Sequence, residues 1–227
     1  PLDVVLGLPH RNAADAVGTL QTPAPGSIAF PATAFDRAGH IGLVYRKTDA
    51  GVQSVQFRTL TAAGIGGSEQ VLQSAGTNIG QPDIDMNASG RSLVAWYERP
   101  APGSSVVRAR YIGANGTPEA TPFDTTFAAD TGLVAAAIGG SGDGAVTWTQ
   151  AVTGQPTTLH ARTISGGVAS DGLEISGQNL GAGAAQMEMG ANDVGVAAWV
   201  EQVSDSPSLT QVFVRQILPP PTCSDAS

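Results

Sequence analysis

Lysine, cysteine and aromatic side chains are scarce in this chain of 227 residues, and each scarcity removes a class of function. Lys47 is the single lysine beside ten arginines, charged residues make up 13% of the chain, and the formal net charge is −8. Nucleic acid is excluded as a partner, because affinity for it comes from phosphates neutralised by a clustered basic face. The same net charge repels anionic lipid surfaces. No uninterrupted apolar run approaches the roughly 20 residues of a spanning helix, so no segment offers itself for membrane insertion. The opening PLDVVLGLPHRN lacks the charged and apolar regions of a secretory signal. A chain that starts at Pro1 is read as a mature form or as an excised piece. Low lysine, abundant Gly, Thr, Ser and Ala, and a single cysteine suit an exported bacterial protein, extracellular or at the cell surface.

Helical periodicity is also missing, and what stands in its place is a repeat. The stretch NASGRSLVAWYERP, Asn87 to Pro100, occurs in four versions. Tyr45, Trp96, Trp148 and Trp199 are 51, 52 and 51 residues apart, and Gly39, Gly90, Gly142 or Asp193 stands six residues before each. The copies run Ser27 to Asn78, Ile79 to Asp130, Thr131 to Ala182 and Gly183 to Leu218. In each, an apolar stretch precedes a polar turn, and a Val-rich run ends on the aromatic residue; these are strands a and b. A polar loop follows, then an alternating run that closes on Arg58, Arg110, Arg162 or Arg215, which is strand c. In the first three copies a glycine-containing turn leads to a short strand d. Four short strands per ~50 residues predict an all-β fold, a β-propeller of four repeats.

The two ends carry complementary defects. The fourth copy runs out at Leu218 before any strand d, whereas Ala14 to Thr22, ADAVGTLQT, matches strand d in spacing. An N-terminal strand that completes the last blade closes the ring and removes an open edge. Asp3 to Leu8, DVVLGL, reads instead as a strand c of an upstream blade, which implies a piece of a larger propeller or pairing with a second copy. Residues 1–26 are therefore closing strands or an upstream remnant, 27–218 the propeller, and 219–227, PPPTCSDAS, a Pro-rich linker and tail. Cys223 in that tail is a free thiol, an intermolecular disulfide, or half of a disulfide whose partner lies further on.

The pattern of D/N-x-x-G, a Val-rich strand ending in Trp, and an alternating strand ending in Arg resembles the Trp-bearing β-propeller repeats of large bacterial secreted and cell-surface proteins. The resemblance spans Ser27 to Leu218. The tail PTCSDAS resembles the start of an Ig-like or cadherin-like module, which implies that the chain continues into further domains and that Cys223 pairs with a later cysteine. Those repeats are chiefly scaffolds, so the resemblance implies no catalytic residues. The turn SGDGAVTW, Ser141 to Trp148, is similar to the Asp-box of sialidases, with Ala145 where that motif has glycine. An Asp-box is a folding motif.

The recurring residues read as architecture. The aromatic quartet fills the gap between twisted blades, where a large ring buries more apolar area than an aliphatic side chain. The four arginines are expected to bond the neighbouring a–b turns, where Asp36, Asp143 and Asp193 lie. His10, His40 and His160 have no metal-ligand spacing. The departures from the repeat are more informative. Asp83 and Asp85 stand where other copies carry Ala32 and Ala34, Ala135 and Ala137, or Gln186 and Glu188. On an innermost strand, side chains two apart face the same way, so Asp83, Asp85 and Glu188 converge on the channel. They form either a cation site for calcium or an acidic, water-filled lining. The function expected is a non-enzymatic scaffold or binding module that presents interblade loops to a protein or glycan ligand. The loops Pro100 to Ser105, Ala151 to Thr158 and Val203 to Thr210 vary most. The alternative is a carbohydrate-active, glycosidase-like propeller using the channel mouth.

Overall fold

The computed structural model describes residues 27–218 apart from 62–63, 66, 77, 120–122, 128 and 178–179. All regular structure among them is β, arranged as four antiparallel sheets that follow one another along the chain. Blade one holds β1 (Ser27–Phe35), β2 (Ile41–Asp49), β3 (Val52–Thr61), β4 (Gly64–Ile65) and β5 (Gln70–Gly76). Blade two holds β6 (Asp83–Met86), β7 (Ser92–Ala101), β8 (Ser104–Ile112) and β9 (Phe123–Phe127). Blade three holds β10 (Asp130–Ile138), β11 (Gly144–Ala151), β12 (Thr158–Ser165), β13 (Val168–Ala169) and β14 (Leu173–Glu174). Blade four holds β15 (Gly181–Ala182), β16 (Gln186–Met189), β17 (Gly195–Asp205) and β18 (Ser208–Ile217). The chain is a β-propeller, with blade boundaries close to those the repeat predicts. The closing strand expected at Ala14 to Thr22, the run Asp3 to Leu8 and the tail with Cys223 lie outside the described residues.

The order a, b, c from the axis outward is the same in each blade, and blades one to three add a strand d outside c. β1, β6, β10 and β16 are the inner strands, and successive ones touch. Inner-strand pairing is irregular at matching places, with register shifts between Ala29 and Ala32 and between Gly132 and Ala135, and with β15 and β16 pairing separately along β17. A local break in a ladder increases strand twist, as the centre of a propeller requires.

Alternation along strands b and c gives each blade two apolar faces. Val94 and Trp96 of blade two pack with Val44, Val55 and Phe57 of blade one. The opposite face of blade two, Leu93, Ala95, Val107, Ala109 and Tyr111, packs with Val146, Trp148 and Ile164 of blade three. Blade three then meets Trp199, Ala197 and Met187 of blade four through Ala145, Leu159 and Ala161. The aromatic quartet is therefore packing, with none of the four rings more than 5% exposed. Two indoles are also clasped by an acid two residues on: Trp96 Nε1 donates to Glu98 at 3.2 Å and Trp199 Nε1 to Glu201 at 2.6 Å.

The a–b turns join blades at one end of the ring. Asn87 Nδ2 donates to Gly139 O at 3.2 Å, Arg91 Nη1 to Gly142 O at 3.0 Å, and Ser141 N to Asp193 Oδ1 at 3.1 Å. The turn Ser141 to Asp143 is held as an Asp-box would be, with Ser165 Oγ donating to Asp143 at 2.7 Å. Gly139 and Gly140 are required there, because a Cβ on Gly140 would overlap the backbone of Ala191.

Two expectations are corrected. Arg58, Arg162 and Arg215 each bond a group other than Asp36, Asp143 or Asp193. Arg58 pairs with Glu69 at 3.4 Å, Arg162 donates to Thr125 at 2.7 Å and Arg215 to Ile175 O at 3.4 Å, all beside strand d. Two of the three variable loops are also strand: β7 and β8 are joined at Pro102 and Gly103, and β17 and β18 at Ser206 and Pro207. Long hairpins there satisfy backbone groups that a polar loop would leave to water.

Candidate functional site

Between the four inner strands lies a cavity of about 410 Å³. Blade one contributes Thr33, and blade three a wall of Val134, Ala135 and Ala136. Facing that small-residue wall are Gln81, Asp83 and Asp85 of blade two and Gln186 and Glu188 of blade four. Asp85 and Glu188 also line an adjoining cavity of about 330 Å³ at the a–b turns, so they stand where the channel opens. The three carboxylates predicted to converge do share this space. None of Arg58, Arg110, Arg162 and Arg215 lines it.

The carboxylates are not equivalent. Asp83 and Asp85 face blade three, and an inner strand has N–H groups on its open edge that need acceptors. Asp83 Oδ2 accepts from Ala136 N at 2.9 Å and Asp85 Oδ2 from Ile138 N at 2.8 Å. Two acids two residues apart thus meet two amides two residues apart on the next blade. Asp85 Oδ1 accepts a further bond from Met86 N at 2.7 Å. Burial pushes Asp83 above its ordinary value, helped by the charges of Asp85 and Glu188 and opposed by its N–H bonds.

Glu188 occupies the register position of Asp85: Glu188 lies opposite Val196 as Asp85 lies opposite Leu93. Among the described residues no hydrogen bond holds it. Partial burial, then the charge of Asp85, raises its pKa, and no donor offsets either effect. The mouth therefore combines a carboxylate oriented by two N–H groups with an acid whose pKa is raised and which no hydrogen bond among the described residues holds.

Among the described residues no three His, Cys, Asp or Glu side chains are grouped to hold a metal ion. Asp83 and Asp85 instead spend oxygens on backbone N–H groups. That role was invisible in sequence, since the donors lie 53 residues away on the neighbouring blade. Glu98 and Glu201 were missed although a signal existed: Trp-x-Glu recurs at Trp96 and Trp199 and nowhere else.

No family model matches the sequence, and no curated protein matches it. Solved structures do match in fold. One is a GH93 α-L-arabinofuranosidase of Fusarium graminearum in complex with arabinobiose, with TM-score 0.53 and 10% identity over 85% of this chain and 63% of that one. A second α-L-arabinofuranosidase structure from Fusarium graminearum, with an iminosugar inhibitor, has TM-score 0.53 and 10% identity over 83% and 62%. The chain spans less than two thirds of these two proteins, and likeness at this identity shows the fold. The non-enzymatic scaffold expectation is nonetheless corrected. The two structures named are both α-L-arabinofuranosidases, and two of the three loops meant to carry binding are strand while the polar groups gather at the channel mouth.

Proposed function

We propose that this chain is a carbohydrate-active, glycosidase-like propeller that takes its glycoside at the channel mouth. Hydrolysis of a glycosidic bond needs an acid that keeps its proton until the leaving oxygen takes it, and a carboxylate beside the sugar's anomeric carbon. Glu188 suits the first role and Asp85 the second. In the reaction, Glu188 delivers its proton to the glycosidic oxygen as the C–O bond breaks. Water supplies the hydroxyl that adds to the anomeric carbon, and Asp85 takes the proton that this water loses. Gln81, Gln186 and Thr33 offer hydrogen bonds to sugar hydroxyls. The wall of Ala135 and Ala136 leaves room for a ring. The observation that carries the proposal is the unequal treatment of carboxylates in one cavity: Asp85 is held by two N–H groups and Glu188 by none. Both fold relatives named above are α-L-arabinofuranosidases, so arabinofuranosides head the list of substrates to try.

The test is release of reducing sugar from a panel of unactivated arabino-, xylo- and sialyl-oligosaccharides, whose alcohol leaving groups need a proton. Removing an acid of this kind lowers rates by about 10² to 10⁴, so Glu188→Gln should abolish release that the wild type shows. A wild type inactive on every member of the panel, or a Glu188→Gln variant with undiminished rate, sinks the proposal.

A further inference from the structure

We propose that the outward face of blade four is a docking surface for another β-blade, one bearing the aromatic face that blades two, three and four turn toward their predecessors. The inference rests on registers used three times within the described residues, and it meets the glycosidase reading at Glu188, which lies opposite Val196 on this face. In blade two the positions three before, one before and one after the strand-b aromatic are Leu93, Ala95 and Tyr97, which pair across to Tyr111, Ala109 and Val107 and lie under blade three. In blade four the same positions are Val196, Ala198 and Val200, paired to Gln216, Val214 and Val212. No blade among the described residues covers them: Leu93, Ala95, Val107 and Ala109 are 0% exposed, whereas Val196 and Val200 are each 45% exposed, Val214 66% and Val212 72%.

A face whose strands b and c present only Val196, Ala198, Val200, Val212, Val214 and Gln216, with Gln186 and Glu188 on its inner strand, is apolar surface built at the register of an established interface. Polar groups agree. Gln186 lies opposite Ala198 as Asp83 lies opposite Ala95. Asp83 binds an amide on the next blade's inner strand, while Gln186 is exposed and has no such bond among the described residues. Blade one does not serve as the occupant, since its own aromatic face, with Leu43, Tyr45 and Ile28, is already buried while blade four stays open. The same burial denies that face to a second copy of the chain.

The experiment uses thiol accessibility. In a Cys223→Ser background, Val214→Cys places a reporter on the open face. Two extended chains graft a further blade after Ile217 in the repeat's own phase, one adding a copy of residues 113–182 and the other a copy of residues 61–130. In the 227-residue chain the reporter should react as a free thiol. In an extended chain it should react about tenfold more slowly or less, as a site that opens only transiently does. A Val212→Glu substitution in that extended chain should restore the reactivity. Unchanged labelling in both extended chains overturns the proposal. A protected reporter in the 227-residue chain also overturns it, and if sedimentation then shows a dimer that Val212→Glu dissolves, the occupant is a second copy.

Discussion

Asp83 can be replaced in two ways that separate what its shape does from what its charge does. Asp83 Oδ2 accepts the Ala136 amide at 2.9 Å, and Ala136 is buried at 3% exposure. Asp83→Ala leaves that N–H without a partner, which costs about 1–3 kcal/mol. For a domain of this size about 2–4 °C of Tm accompanies each kcal/mol, so Asp83→Ala should lower Tm by several degrees. Asp83→Asn keeps an acceptor oxygen and cannot ionise. The sign of the pH effect follows from the direction of the shift. Asp83 in the folded chain lies above its ordinary value of 3.8, chiefly through burial. Its contribution to stability is therefore complete below that value and is lost as pH rises through the folded pKa. Asp83→Asn should match the wild type near pH 3 and equal or exceed it near pH 7, while Asp83→Ala falls below both throughout. Thermal unfolding followed by circular dichroism from pH 3 to 8 reads all three. Equal Tm for the Ala and Asn variants, or a wild-type to Asn difference that does not change with pH, would refute the assignment of Asp83 as an interblade tie that carries an electrostatic cost.

Trp199→Ala removes a buried ring stacked on Phe213 at 6.1 Å and takes the indole donor from buried Glu201. A loss of about 3–5 kcal/mol is expected, read from the urea midpoint. Gly140→Ala puts a methyl into the Ala191 backbone at the joint of blades three and four. Overpacking of this kind costs about 1–3 kcal/mol and should appear as a lowered Tm, whereas Gly154→Ala meets no neighbour and loses only what a left-handed φ of 80° costs an alanine, about 1–2 kcal/mol.

The architecture was legible because its markers are local. An aromatic residue must fill each blade gap and a turn must precede it, so Tyr45, Trp96, Trp148 and Trp199 and the turns before them fixed four blades without any long-range information. Hairpin lengths were misread because Pro102, Gly103, Ser206 and Pro207 look like loop chemistry, yet they occupy only the two-residue tips between long strands. The arginines were misplaced for another reason. Sequence shows a donor at the end of strand c, but which carbonyl or carboxylate it meets depends on blade twist. The site was half legible. Departures from the repeat at Asp83, Asp85 and Glu188 pointed to the channel, while their division into tied acceptors and one free acid required the neighbouring blade's amides to be in view.

Glu188 is where the account is most exposed to measurement. Carbon-13 carboxyl resonances of the folded chain, followed through a pH titration with and without arabino-oligosaccharides, report its protonation and its contact with sugar together. The account predicts a Glu188 midpoint above the ordinary 4.5 and a saturable shift of the Glu188 and Asp85 carbons as sugar is added. A Glu188 carbon that titrates at its ordinary value and that no glycoside moves would contradict the claim that this mouth is where the protein meets its substrate.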